Sequence, residues 1–146
     1  MPYTFVPKHK YAKAFGRDLR ISTKSAVKIC SVIRNKPMSR AKRLLGDLAN
    51  GKRSLEGKYY TKTVREMLSL LNSCEKNAEF LGLESEKLFV SASAHKGTNF
   101  KRRRRKSDFG SGMKTTNLEI MLVERGRESK TRVPKKKIKD QAKVPQ

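Results

Sequence analysis

The sequence has few cysteines and no long apolar run. Its only two cysteines, Cys30 and Cys74, occupy apolar positions of predicted helices, which indicates buried reduced thiols rather than a disulfide or a metal pair. No apolar stretch approaches the roughly 20 residues that span a membrane, and residues 1–10 lack the apolar segment of a secretion signal. We therefore expect a cytoplasmic protein without membrane insertion.

Acidic residues are also scarce. The 146-residue chain has 36 lysines and arginines but only 13 aspartates and glutamates, a formal net charge of +23. Such a charge repels itself within a compact fold and attracts phosphate, so nucleic acid is the leading class of partner and an anionic membrane surface is the second. The length suits one domain with tails.

Residues that could carry catalysis are few. The two histidines, His9 and His95, lie in a terminal arm and on a predicted strand, and neither is close in sequence to Cys30 or Cys74. A Cys/His site assembled by folding remains an alternative. The chain has no phosphate-cradling glycine loop and no ligand cluster with metal spacing. The sequence therefore predicts no enzyme, no cofactor and no metal.

Two segments, residues 88–96 and 115–124, alternate apolar and polar side chains as half-buried strands do. They are predicted to form the base of a long β-hairpin over residues 88–124. Residues 15–21 also alternate and are predicted to add a third strand, because isolated two-stranded ribbons are marginal in water. The apolar positions of the hairpin strands are Leu88, Val90, Ala92, Ala94, Leu118, Ile120 and Leu122.

Three helices are predicted between these strands from apolar residues at helical spacing. The first is capped by Ser22 or Thr23 and reaches residue 35, the second covers residues 40–50, and the third covers residues 61–81 and packs across the sheet. Their apolar stripes are Ala26, Val27, Cys30 and Ile33, then Ala41, Leu44, Leu45 and Leu48, then Val64, Met67, Leu68, Leu71, Cys74, Ala78 and Leu81.

A run of six basic residues, 101–106, follows the first hairpin strand, where the apolar alternation has ended. It contains four arginines and two lysines, and Phe100 and Phe109 flank it. Arginine suits bidentate phosphate contacts and stacking on exposed bases. The plainer interpretation is a solvated loop or a nuclear-import type signal. Basic segments near both termini favour nucleic acid.

The hairpin favours folded RNA over duplex DNA. Extended, residues 96–105 would reach roughly 30 Å, which is more than a groove contact requires and enough to enter folded RNA. Sequence-specific DNA readers usually show a recognition helix or a zinc site, and this sequence shows neither. A free-standing nucleic-acid chaperone or a binder of anionic surfaces would use the same charge and is the alternative function.

Several segments together resemble one known family. In order and spacing they cover about residues 11–124, and they are similar to the universal large-subunit ribosomal protein number twenty-two family, in its archaeal and eukaryotic branch. The matching segments are residues 16–24, 41–45, 76–83, 88–90 and 94–97, the arginine run, and Phe109-Gly110.

The resemblance implies an α+β fold in which three helices pack on a small three-stranded antiparallel sheet with a long protruding β-hairpin. The residues themselves predict basic tails in addition to this fold. We expect one domain over residues 15–124, a basic arm over residues 1–14 before it, and a basic tail over residues 125–146 after it that is disordered when free.

The resemblance also implies a structural, cytoplasmic ribosomal protein that assists subunit assembly. Its partners are large-subunit rRNA, neighbouring large-subunit proteins and the nascent polypeptide in the exit tunnel, and no DNA is expected. Expected rRNA-binding residues are Arg17, Arg20, Ser22, Lys24, Asn77, Lys96, Lys101, Arg102, Arg103, Arg104, Arg105 and Lys106. The expected tunnel-lining tip is Ser107, Asp108, Phe109 and Gly110.

Overall fold

The computed structural model describes residues 6–101 and 110–125. This part of the chain contains three α-helices, a short 3-10 helix and five strands. The helices are α1 (Thr23–Ile33), α2 (Met38–Ala49) and α3 (Thr61–Phe80), and the 3-10 turn is Ser85–Lys87. The strands are β1 (Tyr11–Leu19), β2 (Leu88–Lys96), β3 (Phe100–Lys101), β4 (Gly112–Met113) and β5 (Thr116–Glu124).

Strand β5 is the centre of a three-stranded antiparallel sheet with the order β1-β5-β2. Phe15 of β1 and Ser93 of β2 both lie directly opposite Glu119 of β5. Because β5 is flanked on both sides, eight of its nine residues are buried. The predicted fold class, three helices on a small three-stranded antiparallel sheet, is confirmed.

The hairpin continues beyond this sheet as a second, shorter ladder. Phe100 of β3 lies opposite Met113 of β4, and Lys101 lies opposite Gly112. The far end of the hairpin, residues 102–109, lies outside the described residues, as do residues 1–5 and 126–146. The protruding tip and the basic tails therefore stay predictions.

The helices lie on one face of the sheet. Helix α3 packs on β1 and β5, α1 packs on β2, and α2 packs against α3. The apolar positions of the strand alternation face these helices, and each fully buried aliphatic side chain contributes roughly 1.5–3 kcal/mol of stability. The largest fully buried side chains include Ile29, Ile33, Leu45, Leu48, Met67, Leu71, Leu88, Leu118, Ile120 and Leu122.

Strand β1 begins at Tyr11, four residues before the predicted start at residue 15. Tyr11 already pairs with Val123 of β5, and Ala12 and Ala14 are buried at 1% and 8% exposure. The last four residues of the predicted N-terminal arm therefore belong to the sheet. The strand also ends at Leu19, two residues before the predicted end at residue 21, and Asp18 within it adopts a left-handed φ of 50° beside a register shift in the ladder.

The helix predictions are correct in number and differ in detail. In α1, Ile29 is buried while Val27 is 47% exposed, because Ile29 shares the buried face with Ala26 and Ile33. Helix α1 ends at Ile33, two residues early, and α2 begins at Met38, two residues early. Leu81 lies just beyond the end of α3 and is 57% exposed, so it is not part of the core.

Candidate nucleic-acid interface

A basic cleft lies where the hairpin leaves the sheet. It encloses about 830 Å³, and its lining includes four cationic side chains and no acidic one among the described residues. All four cations are exposed, and phosphate oxygens are the ligands that such a cluster attracts. The cations are Arg20, Lys62, Lys101 and Lys114, and Ser22 lines the cleft beside them.

The cleft combines predicted and unpredicted residues. Arg20, Ser22 and Lys101 are expected from the sequence, but Lys62 and Lys114 are not. Lys62 lies in the first turn of α3, and Lys114 lies between β4 and β5. Isolated lysines in a chain of charge +23 carry no distinguishing signal, and only the folding of α3 against the hairpin base brings these two together.

A second cationic cluster lies along α2 and the loop that follows it. A cavity of about 270 Å³ is lined there by four cationic residues and one acidic residue, namely Lys36, Arg40, Arg43, Arg53 and Asp47. Four positive charges against one negative charge leave this surface cationic. It therefore offers a further contact for a polyanion, well separated in sequence from the hairpin.

The remaining expected residues are spread over the surface. Arg17 has an 81% exposed side chain that lies 3.4 Å from a carboxylate oxygen of Asp18. Lys24 is exposed in the first turn of α1, Lys96 is exposed at the end of β2, and Gly110 is exposed with a φ of 74°. The expected residues outside the described part of the chain are Arg102, Arg103, Arg104, Arg105, Lys106, Ser107, Asp108 and Phe109.

Asn77 has a bonding partner within the protein. Its side-chain amide donates a hydrogen bond to the backbone carbonyl of Lys13 at 3.0 Å. This bond ties α3 to β1, the strand that carries Arg17. Asn77 therefore supports the surface of the domain by linking these two elements.

Asp18, near the end of β1, binds the segment that joins β2 to β3. We call this segment, residues 97–99, the neck of the hairpin. The Asp18 carboxylate accepts hydrogen bonds from the Thr98 amide at 2.7 Å and the Thr98 hydroxyl at 3.1 Å. The Asp18 amide donates to the side-chain oxygen of Asn117 at 2.8 Å. A Cβ on Gly97 would lie 2.7 Å from an Asp18 carboxylate oxygen. The chain therefore needs glycine where it leaves β2.

We expect Asp18→Asn to loosen this neck. The Thr98 backbone hydrogen bond is the main cause that lowers the pKa of Asp18 below 3.8. A carboxyl group with a lowered folded-state pKa stabilises the fold above its unfolded pKa, and this stability is lost as the pH falls through the folded pKa. In an NMR titration, the Thr98 amide of the wild type should therefore shift with a midpoint below 3.8.

In Asp18→Asn this titration should disappear. The Thr98 amide should then have, at every pH, the chemical shift that it has at low pH in the wild type. Asp47→Asn, which changes a carboxyl group on α2, is the matched control and should leave the Thr98 titration intact. A Thr98 titration that survives in Asp18→Asn would show that another group controls the neck.

Comparison with known proteins identifies the family of this chain. A family model described as ribosomal protein L22p/L17e matches residues 14–122. The chain belongs to this family. The match covers all three helices and almost all of the sheet, including the residues that form the basic cleft.

Curated relatives come from archaea and a plant, and each carries the name large ribosomal subunit protein uL22. The Methanopyrus kandleri protein is 35% identical over 107 residues, which cover 59% of this chain and 67% of the relative. The Archaeoglobus fulgidus protein is 35% identical over 117 residues, covering 65% and 76%. The Zea mays protein is 31% identical over 104 residues, covering 56% and 61%.

Membership of the family assigns the chain a structural role in the ribosome and not an enzymatic one. Its cysteines are consistent with this role, because both are free and buried. Burial raises the pKa of Cys30 to about 12 and that of Cys74 to about 11. Neither thiol therefore forms the thiolate that a nucleophile requires at neutral pH.

No group of three or more histidine, cysteine, aspartate or glutamate side chains is placed to hold a metal ion within residues 6–101 and 110–125. Over the same residues, no helix has the length and apolar character needed to cross a membrane.

Proposed function

We propose that the protein is a structural constituent of the large ribosomal subunit that binds large-subunit rRNA and assists its assembly in the cytoplasm. The observation that carries this proposal is the basic cleft at the hairpin base, where cations from separate elements converge and no acidic group among the described residues joins the lining. The names of the relatives and the family support the choice of the large subunit.

The mechanism is electrostatic and makes or breaks no covalent bond. The cleft cations and the cluster on α2 neutralise phosphates and release counterions, so that separate rRNA helices can approach each other. The hydroxyl of Ser22 would donate to a phosphate oxygen, and the amide oxygen of Asn77 would accept from a sugar hydroxyl. RNA helices are recognised mainly through these groups and through shape.

The hairpin extends this interface away from the domain. Strands β3 and β4 continue the ribbon past the sheet, and the basic run 101–106 begins at the last residue of β3. We propose that this run passes between rRNA segments and that Ser107, Asp108, Phe109 and Gly110 line the polypeptide exit tunnel. Neighbouring large-subunit proteins and the nascent chain are then the protein partners.

Sucrose-gradient fractionation tests this proposal. The wild type should sediment with large subunits and stay there after a moderate salt wash. A variant with Arg20, Lys62, Lys101 and Lys114 all changed to glutamine should leave the particle at lower salt, because four phosphate contacts contribute a slope of about 3 in the logarithmic salt dependence. The appearance of the wild type only at the top of the gradient would contradict the proposal.

A control variant separates the cleft from net charge. Changing Lys28, Lys42, Lys58 and Lys76 to glutamine removes the same charge from exposed positions outside both cationic clusters. This variant should retain most of its salt resistance. If both variants leave the particle at the same lowered salt concentration, the result would instead support a non-specific binder of anionic surfaces.

A further inference from the structure

The face of the sheet away from the helices carries a cavity of about 600 Å³. Direct partners in an antiparallel ladder lie on the same face, so Phe89, Ser93, Glu119, Met121 and Val123 share this surface. Phe89, Met121 and Val123 form an apolar wall along it. The cavity therefore resembles a ligand site in its size and in its mostly apolar lining.

Glu119 is the unusual group in this cavity. The residue is only 4% exposed, and one of its carboxylate oxygens, Oε2, accepts a hydrogen bond from the Ser93 hydroxyl at 3.0 Å. The other, Oε1, is buried and has no hydrogen-bond partner in the described part of the chain. A buried carboxylate oxygen without a donor is costly. It is therefore a place where a ligand donor would be favoured.

The rim of the same cavity is cationic. Arg34 lines the cavity and donates from Nη2 to the Ala92 carbonyl at 3.0 Å, which holds it at the edge of β2. Arg125 also lines the cavity and lies 5.3 Å from the centre of the Phe89 ring. Lys8 contributes a third positive charge. The cavity thus has an apolar wall, an acceptor deep inside and cations at its entrance.

We propose that this cavity, defined by Glu119, Phe89 and Met121 with Arg34, Arg125 and Lys8 at its rim, binds an unpaired guanine of the rRNA. Guanine alone among the four RNA bases presents two adjacent donors, N1–H and N2–H, on its Watson–Crick edge. Glu119 Oε1 would accept from one of them, and Oε2 keeps a further lone pair for the other. The base would pack on the apolar wall, and its phosphate would meet the rim cations.

The charges decide between the two kinds of donor that could reach Glu119. An arginine or lysine side chain of a neighbouring protein would also donate to Oε1, but it would have to pass three cations of the same sign. A nucleotide places its anionic phosphate at those cations and its neutral base inside. The guanine proposal rests on the proposed binding to rRNA and adds one specific contact to it.

Chemical probing of assembled large subunits tests the contact. Kethoxal modifies guanine at N1 and N2, the two atoms that Glu119 would engage. One guanine should be protected in subunits that contain the wild type and reactive in subunits that contain Glu119→Gln, with all other protections unchanged. Glu79→Gln, at an exposed position of α3, is the matched control and should keep the protection.

The outcomes separate this proposal from the proposed function. Glu119→Gln leaves the basic cleft intact, so it should still sediment with large subunits. If wild type and Glu119→Gln both sediment with the subunit and give the same kethoxal pattern, the guanine contact is wrong while rRNA binding stands. If the wild type does not sediment with the subunit, the proposed function itself fails.

A second measurement uses the free full-length protein and does not depend on assembly. In an NMR titration, 5′-GMP should shift the amide signals of Ser93, Glu119 and Met121, while 5′-AMP should not. The apparent affinity for 5′-GMP should fall about tenfold or more in Glu119→Gln, because hydrogen bonds to a charged group are lost. Shifts caused by N-acetylarginine amide but not by 5′-GMP would overturn the proposal in favour of a protein partner.

Discussion

Changing Arg102, Arg103, Arg104 and Arg105 together to glutamine is expected to weaken binding to large-subunit rRNA by roughly 10²–10³-fold near 0.15 M salt. Each phosphate contact contributes about 0.7–0.9 to the slope of log affinity against log salt. Four lost contacts should therefore also reduce that slope by about 3. Filter binding of a large-subunit rRNA fragment between about 50 and 200 mM salt measures both quantities.

Lysine at the same four positions is the matched control. The charge is retained but the bidentate guanidinium geometry is lost, so the slope should stay near that of the wild type while the affinity falls less. If the glutamine variant keeps the wild-type slope, the arginine run does not contact phosphate. The rRNA affinity would then come from the domain surface.

The second large effect concerns the core. Ile120→Ala is expected to lower the free energy of unfolding by about 3 kcal/mol, within the range for large-to-small changes at buried sites. Ile120 is 0% exposed on the central strand, between Ala14 and Ala92 on the neighbouring strands. The thiol of Cys74 lies 3.6 Å from its carbonyl. Small neighbours on both sides cannot close the cavity that the alanine would leave.

Urea unfolding of the free protein, followed by circular dichroism, measures this loss. Val27→Ala is the control, because Val27 is 47% exposed and should change the stability by no more than about 0.5 kcal/mol. If Val27→Ala lowers the free energy of unfolding as much as Ile120→Ala does, the packing described for α1 and β5 is wrong.

Much of the fold follows from local pattern. Alternating residues in 88–96 and 115–124 indicate strands, since one side of each must face a core, and these strands pair in the observed structure. Apolar residues at helical spacing indicate the three helices. The start of β1 was not predictable in this way. Ala12 and Ala14 are too small to stand out in a basic segment, and only pairing with β5 makes them part of the sheet.

The candidate nucleic-acid interface also has residues that the sequence predicts and residues that it does not. The arginine run and its flanking aromatic residues are evident from sequence because they are contiguous. Lys62, Lys114 and Glu119 are not, because each is an ordinary charged residue until folding supplies its neighbours. Glu119 in particular occupies a polar position in a half-buried pattern, which predicts an exposed side chain. Its 4% exposure arises because β5 is the central strand and its neighbours cover it.

The amino-acid sequence alone predicts a polyanionic partner for this protein, since a net charge of +23 is not neutralised within the chain. It also predicts the three helices and the paired hairpin strands, because side-chain periodicity selects which backbone conformation can bury an apolar face. The tertiary structure decides which cations share a cleft and which carboxylate oxygen is buried without a hydrogen-bond donor among the described residues. Those properties depend on distances between residues far apart in sequence, and only the packing of α3 and the hairpin on the sheet sets such distances.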